Sequence, residues 1–264
     1  MRQGVLTLMA VLGSAALAVP ADLAEIRSRG VLRVLVNLDE KRPEFFALSK
    51  DKAPGFDHEL LQSFAQLHRL RLEAVSVDGW GALVPALLER RGDLIAGRFT
   101  DTPARRRQIS FTAEVFPSRL VVITRRPHRA VTSLEQLREE KVGTTKGSSM
   151  AEALAATGIP PENLDQEIPT GGYCQALREG RITAAVWGVE CAIASQREDP
   201  EIQLGMFLGA PASLAWGVRR EDGQLLSALG QYIQNVRRTP TWNRLVVEYF
   251  GAAALDILKQ AQGR

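Results

Sequence analysis

G-D-L-I-A-G-R-F-T-D-T-P-A-R-R-R-Q-I-S-F, residues 92–111, decides how the chain folds. Gly92 closes a helix, Asp93 to Ala96 reads as a buried strand, and Gly97 to Thr102 is a loop of small and polar residues. A strand that delivers its C-terminal end to a polar loop is where open α/β sheets hold ligands. Arg105, Arg106 and Arg107 follow, and then the apolar segment Ile109 to Phe111. A guanidinium at such a loop can grip a carboxylate through two parallel hydrogen bonds. Three arginines in a row also read as a solvated basic helix start.

Outward from this stretch, strands and helices alternate. Asp22 to Arg29 reads as a short helix stopped by Gly30, and Val31 to Asn37 as a continuously apolar strand of the buried parallel kind. A loop, Leu38 to Pro54, carries Phe45 and Phe46. Glu59 to Leu67 has apolar residues at helical spacing, Leu70 to Val77 alternates as a strand, and Trp80 to Arg90 is a second amphipathic helix. This order predicts a doubly wound α/β domain. A second unit starts with the strand Arg119 to Thr124. It continues through a short helix (Leu134 to Leu137), a strand (Lys141 to Thr144) and a polar loop, Lys146-Gly147-Ser148-Ser149, that leads into the helix Met150 to Ala156. The helix Tyr173 to Arg178, the strand Ile182 to Trp187 and the helix Cys191 to Arg197 come next. Ala212 to Arg219 reads as a strand, with helices at Gly223 to Arg237 and Thr241 to Phe250. No Gly/Ser/Pro linker separates the halves, so two lobes joined by strands, a hinged clamshell, are expected.

Composition narrows the function. The chain has 264 residues, a net charge of +3 and 45% hydrophobic residues, with no basic patch or tail, which argues against nucleic acid. Arg2, the apolar run Val5 to Ala18 and small-x-small sites at Ala16-Leu17-Ala18 and Val19-Pro20-Ala21 predict a cleaved signal peptide over residues 1–21. No cysteine lies near the cleavage sites, so a lipoprotein is not expected, and a periplasmic location is. Cys174 and Cys191 either pair in an oxidising compartment or sit as buried thiols. Three scattered histidines and two cysteines give no metal-ligand spacing, so no metal or cofactor is implied.

Five blocks in order carry a resemblance. They are Ile26-x-x-x-Gly30-Val31-Leu32-Arg33-Val34; Gly55-Phe56-Asp57-x-Glu59-Leu60; Trp80-x-x-Leu83-Val84-Pro85-x-Leu87 with Gly92-Asp93; Thr100-x-Thr102-x-x-Arg105 ending Ile109-Ser110-Phe111-Thr112; and Trp216-Gly217-Val218-Arg219 with Glu248-Tyr249-Phe250-Gly251. Over nearly all the mature chain the sequence resembles the family 3 extracellular solute-binding proteins, the polar amino acid receptors of ABC importers. The resemblance implies a type II periplasmic-binding-protein clamshell, with lobe one at 22–117 plus 213–264 and lobe two at 118–212. It implies a monomer that captures an amino acid or related small carboxylate and delivers it to a membrane ABC permease, and it implies no enzyme.

The family's carboxylate-binding arginine falls on Arg105, its cleft-lining positions on Arg98 and Thr100, and its covering aromatic on Trp80. Phe46 lies near the other side-chain contact. Ser148 and Ser149 fall on the second carboxylate contact, at a helix start that favours anions. Two positions depart from the pattern. The acid that holds the ligand's amino group in the family falls here on Gly188, with Glu190 two residues on. Arg98 stands where a small hydroxyl residue is usual, which makes the cleft more cationic. Similar domains occur fused to lytic transglycosylases, as cyclohexadienyl dehydratases and as sensors. The chain ends shortly after Gly251, so a fused transglycosylase domain is not expected. A dehydratase would need a positioned general acid, and Glu190 and Asp39 are the candidates. An accessory or regulatory binding protein is the other alternative.

Overall fold

The computed structural model describes residues 22–37, 44–47 and 54–263; the expected signal peptide and Asp39 lie outside the described residues. The chain begins with α1 (Asp22–Arg29), β1 (Val31–Asn37), α2 (Phe56–Leu67), β2 (Arg71–Val77), α3 (Leu83–Leu88), β3 (Leu94–Ile95), α4 (Pro103–Arg106) and β4 (Ser110–Phe111). Its middle holds β5 (Phe116–Arg125), α5 (Leu134–Glu139), β6 (Val142–Gly143), α6 (Ser149–Leu154), β7 (Leu164–Asp165), α7 (Tyr173–Arg178), β8 (Ala184–Gly188), α8 (Val189–Glu198) and β9 (Ile202–Leu214). It closes with β10 (Gly217–Val218), α9 (Gly223–Arg237), α10 (Pro240–Phe250) and α11 (Ala254–Ala261).

Two mixed five-stranded sheets form, in the orders β2-β1-β3-β10-β4 and β7-β6-β8-β5-β9. In the first, β1 pairs in parallel with β2 and β3, while β10 runs antiparallel to β3 and β4. In the second, β6 is parallel to β7 and β8, and β5 is antiparallel to β8 and β9. This is the expected two-lobed architecture. The continuous apolar run of β1 has its cause in burial on both faces. Leu32, Val34 and Val36 pack into the larger core, and Leu35 packs with Leu83, Leu87, Ile95 and Phe99 on the other side. Gly92 lets the chain pass there, because a Cβ at this position would meet the Leu35 side chain at 2.5 Å. Asp93 closes the same corner: its carboxylate accepts from Arg29 Nη2 at 2.6 Å, Arg33 N at 2.8 Å and Arg33 Nη2 at 3.1 Å.

The crossings between sheets are paired strands. Phe116, Pro117 and Ser118 at the start of β5 face Leu214, Ser213 and Ala212 at the end of β9. Phe116 is rooted in an aromatic cluster, 5.2 Å from the ring centroids of Phe45 and Phe56 and 5.0 Å from that of Phe250. Such pairs are worth roughly 0.5 to 1.5 kcal/mol beyond their burial, which fixes the base of the crossing. β9 is far longer than the expected Ala212 to Arg219. It begins at Ile202, and the chain breaks at Ala215-Trp216 before β10. α11 packs on the helix α8 and on β5 of the second sheet, and Gln262 Nε2 donates to Ser118 O at 3.3 Å. Cys174 is half-buried on α7 and Cys191 is buried on α8. Among the described residues no helix is long and apolar enough to cross a membrane.

Candidate functional site

The loop after β3 is built by Asp57. Gly97 and Arg98 both take left-handed backbone, φ 78° and 66°; glycine adopts this at no steric cost, an arginine does not. The Asp57 carboxylate at the start of α2 holds the pair, with Oδ2 accepting from Gly97 N at 2.8 Å and Arg98 N at 3.2 Å. Burial pushes the Asp57 carboxyl up to about 6, against those two N–H groups, which lower it. The turn aims the Arg98 side chain inward, where only 5% of the residue is exposed. Its guanidinium lies 5.3 Å from the centroid of the Trp80 ring. The cation that Trp80 faces therefore comes from the chain itself.

The triple arginine separates into different roles. Thr102 caps α4, its Oγ1 accepting from Arg105 N at 3.3 Å, with Pro103 in the first turn. That cap turns Arg105 back under the loop and leaves Arg106 and Arg107 exposed. Arg106 pairs with Asp101. Arg105 is 6% exposed; its Nη1 donates to Thr100 O at 2.7 Å and its guanidinium lies 4.0 Å from the Phe99 ring centroid. Burial holds the guanidinium down to about 10, with the Glu152 and Asp101 carboxylates pulling the other way. Among the described residues no carboxylate reaches ion-pair distance of it.

The second sheet contributes the facing wall. Ser149 Oγ and Thr100 Oγ1 share a hydrogen bond of 3.0 Å, and Trp80 Nε1 donates to Thr170 Oγ1 at 2.9 Å. Gly147, at φ 72°, backs closely onto Gly81: a Cβ on it would stand 3.2 Å from Gly81 N. Ser148 acts as the N-cap of the six-residue α6, accepting from Ala151 N at 3.2 Å and donating to Thr145 O at 2.6 Å. Glu190 is buried at the start of α8. Its Oε2 accepts from Ser118 Oγ at 2.6 Å and its Oε1 stands 3.9 Å from Arg98 Nη1. The helix turns this carboxylate back toward Gly188, where a Cβ would lie 2.0 Å from Oε1. Glu190 thus fills the space that a side chain at 188 would take.

Seven of the eight expected residues converge. Trp80, Arg98, Thr100, Arg105, Ser148 and Ser149 line a narrow space of about 10 Å³. Arg98, Thr100, Ser149 and Glu190 also line an adjoining cavity of about 620 Å³. Phe46 is the correction. It is buried against His58, at a ring distance of 4.7 Å, and its Cβ packs behind Gly97, so it lines neither space. Ser118 lines the larger cavity, while Asp57 and Thr170 hold Arg98 and Trp80 from behind, and none of the three was expected there. Asp57 lies within a quoted block, whereas no spacing marks Ser118 or Thr170. Among the described residues no cluster of His, Cys, Asp and Glu could hold a metal ion.

The chain is 25% identical over 235 residues to a protein of Desulfosudis oleivorans named membrane-bound lytic murein transglycosylase F, covering 88% of this chain and 51% of that one. It is 27% identical over 238 residues to the protein of the same name from Stutzerimonas stutzeri, covering 88% and 48%. The chain thus spans about half the length of these curated relatives. Among solved structures, the arginine-bound form of truncated ArgBP from T. maritima superposes with a TM-score of 0.72 at 24% identity, covering 81% of this chain and 99% of that one. A histidine-bound substrate-binding protein of an ABC uptake transporter from Streptococcus pneumoniae gives 0.79 at 16%, covering 88% and 97%. An ancestral amino acid-binding protein, a precursor of cyclohexadienyl dehydratase, gives 0.75 at 22%, covering 86% and 99%. These likenesses establish the fold. The expectation of no enzyme does not stand, because the curated relatives carry an enzyme's name. The sequence profile of the bacterial extracellular solute-binding proteins, family 3, matches residues 32–252 of the 264, and the chain belongs to that family.

Proposed function

We propose that the chain captures a small carboxylate, an amino acid or a related molecule, in the cleft between its two sheets. Arg105 is the observation that carries this reading. It is a buried guanidinium that lines the cleft and makes one hydrogen bond, to a backbone carbonyl, with no carboxylate in ion-pair reach among the described residues. Burial works against its charged form, and a carboxylate partner would favour that form. An incoming carboxylate supplies that partner with the two-pronged geometry that arginine favours. Arg98, Thr100 and Ser149 complete the polar wall, Trp80 closes it, and Ser148 holds the turn that presents Ser149. Glu190 stands in for the acid missing at Gly188. The reading takes lobe one as 22–117 plus 213–264, lobe two as 118–212 and the paired start of β5 and end of β9 as the hinge. It includes export to the periplasm with residues 1–21 removed, action as a monomer, and delivery to an ABC permease.

A second reading has its own support. The curated relatives are named for a murein transglycosylase, which favours a cleft that senses a ligand on behalf of an associated activity over one that delivers it to a transporter. Both readings share the Arg105 anchor. Calorimetric titration with a panel of amino acids and dicarboxylates tests it. Arg105→Lys keeps the charge but loses the fork, so affinity should fall about ten- to a hundredfold. Arg106→Ala and Arg107→Ala should bind normally. If Arg105→Lys matches the unmodified protein while Arg106→Ala abolishes binding, the anchor is misassigned.

A further inference from the structure

The narrow space at Arg105, about 10 Å³, cannot hold even a free amino acid. It shares Arg98, Thr100, Ser149 and Met150 with the cavity of about 620 Å³ on the crossing-strand side. Clefts of roughly 300 to 1,000 Å³ hold drug-sized ligands. This chamber is built into the chain path. Ser118 pairs with Ala212 and Leu120 with Leu208, so one residue of β5, Arg119, stands opposite three of β9, Gly209, Ala210 and Pro211. The extra residues bulge β9 away from its partner, as strands do beside binding sites. Gly209 takes φ 68° at the bulge, and Arg119 pins it from outside: its Nε donates to Gly209 O at 3.1 Å and its guanidinium lies 5.0 Å from the Phe207 ring. The walls are chiefly apolar, from Leu120, Met150, Ala153, Leu208 and Ala212, with Ser118 and Glu190 among the polar groups.

Resting on the Arg105 anchor, we propose that the site takes a carboxylate-terminated ligand with an apolar body larger than one amino acid, of the size of a di- or tripeptide. The carboxylate sits at Arg105, and the body passes Thr100 and Ser149 into the chamber beside the β9 bulge. A chamber that were only slack at the crossing strands would be indifferent to ligand length.

The test is calorimetric titration of the full chain with leucine, alanyl-leucine and alanyl-alanyl-leucine, each as free carboxylate and as C-terminal amide. Affinity should rise about tenfold or more from leucine to the tripeptide and fall at least about tenfold in each amide. Ala153→Phe on α6 and Ala212→Leu on β9 both fill the chamber from its lining and should bring the three free carboxylates within about threefold of one another; thermal melts confirm that both fold, and the unmodified chain alone decides if they do not. The proposal is overturned if leucine binds as tightly as the peptides, if no member of the series binds, or if folded, filled variants keep the gain with length. Arg105→Lys separates the two ideas. If it weakens every ligand but length makes no difference, the anchor stands and the chamber assignment falls; if it changes nothing, the anchor itself falls.

Discussion

Replacing Arg105 by Met tests whether this buried charge serves the fold or the ligand. Burial holds its guanidinium down to about 10, a displacement worth about 3 kcal/mol against the charged form. Two contacts offset it. The bond from Nη1 to Thr100 O, 2.7 Å long, is worth roughly 1.5 to 3 kcal/mol. The contact with the Phe99 ring at 4.0 Å adds roughly 1 to 2 kcal/mol. The terms nearly cancel, so Arg105→Met, which keeps an unbranched side chain, should leave the free energy of unfolding within about 1.5 kcal/mol of the unmodified protein. Urea unfolding measures this, and Asp93→Ala is the contrast. Asp93 is a buried carboxylate held by Arg29 and Arg33, whose side chains are 30% and 28% exposed, and removing it should cost about 2 to 3 kcal/mol because its charge-assisted hydrogen bonds are lost while the arginines keep some water. Carboxylate binding should be lost in Arg105→Met and kept in Asp93→Ala. A loss of more than about 3 kcal/mol in Arg105→Met with binding intact would refute the reasoning and make Arg105 a structural residue.

Three further outcomes follow from the same geometry. Gly188→Ala places a Cβ 2.0 Å from Glu190 Oε1, so the carboxylate must leave Ser118 at a cost of roughly 1 to 3 kcal/mol; in a double-mutant cycle by urea unfolding, Glu190→Ala should relieve that cost, and simple additivity would count against the shared space. Thr170→Val removes the acceptor of Trp80 Nε1 between the lobes; small-angle scattering should show a larger radius of gyration, and an unchanged radius would mean the contact does not hold the lobes together. Asp57 titrates in the folded state at about 6, above its ordinary range, so the fold binds an extra proton between those values. Its contribution to stability is full at the acid end and is lost as pH rises through about 6. The stability of the unmodified chain relative to Asp57→Asn should therefore fall by up to about 3 kcal/mol between pH 4 and pH 7, and a constant difference would put the titration elsewhere.

Where local pattern and burial agree, the sequence carries the fold. Asp22 to Arg29, Val31 to Asn37, Tyr173 to Arg178 and Gly223 to Arg237 form the elements their spacing predicts, residue for residue. β9 is the opposite case. Its run from Ile202 contains Gly205, Gly209 and Pro211, residues that normally argue against a strand, and its pairing comes from β5, some eighty residues earlier. Glycine and proline are tolerated because β9 is an edge strand and bulges at the chamber. The helix Trp80 to Arg90 shortens to a tight turn and α3, since Trp80 must stand off the helix to reach Thr170.

The candidate site was legible wherever one residue's own chemistry and local register set where its side chain goes. Arg105 stands out from Arg106 and Arg107 because Thr102 and Pro103 set the helix register that buries it. Phe46 was misread because an aromatic residue near a cleft serves equally to plug the core behind Gly97. Gly188 and Glu190 show why spacing runs out. Read along the chain, a glycine at the acid's position means a lost contact, and a glutamate two residues on points to another face. In space the two are one device. The Glu190 side chain folds back over its own helix start, and the absent Cβ at 188 leaves the room it needs. Gly188 has φ −65° and ψ 138°, backbone that any residue can adopt, so its lack of a side chain is the only property in use there. A carboxylate delivered from 190 reaches Ser118 on the crossing strand as well as Arg98. It therefore ties the cationic wall of the cleft to the base of β5, where the two lobes join.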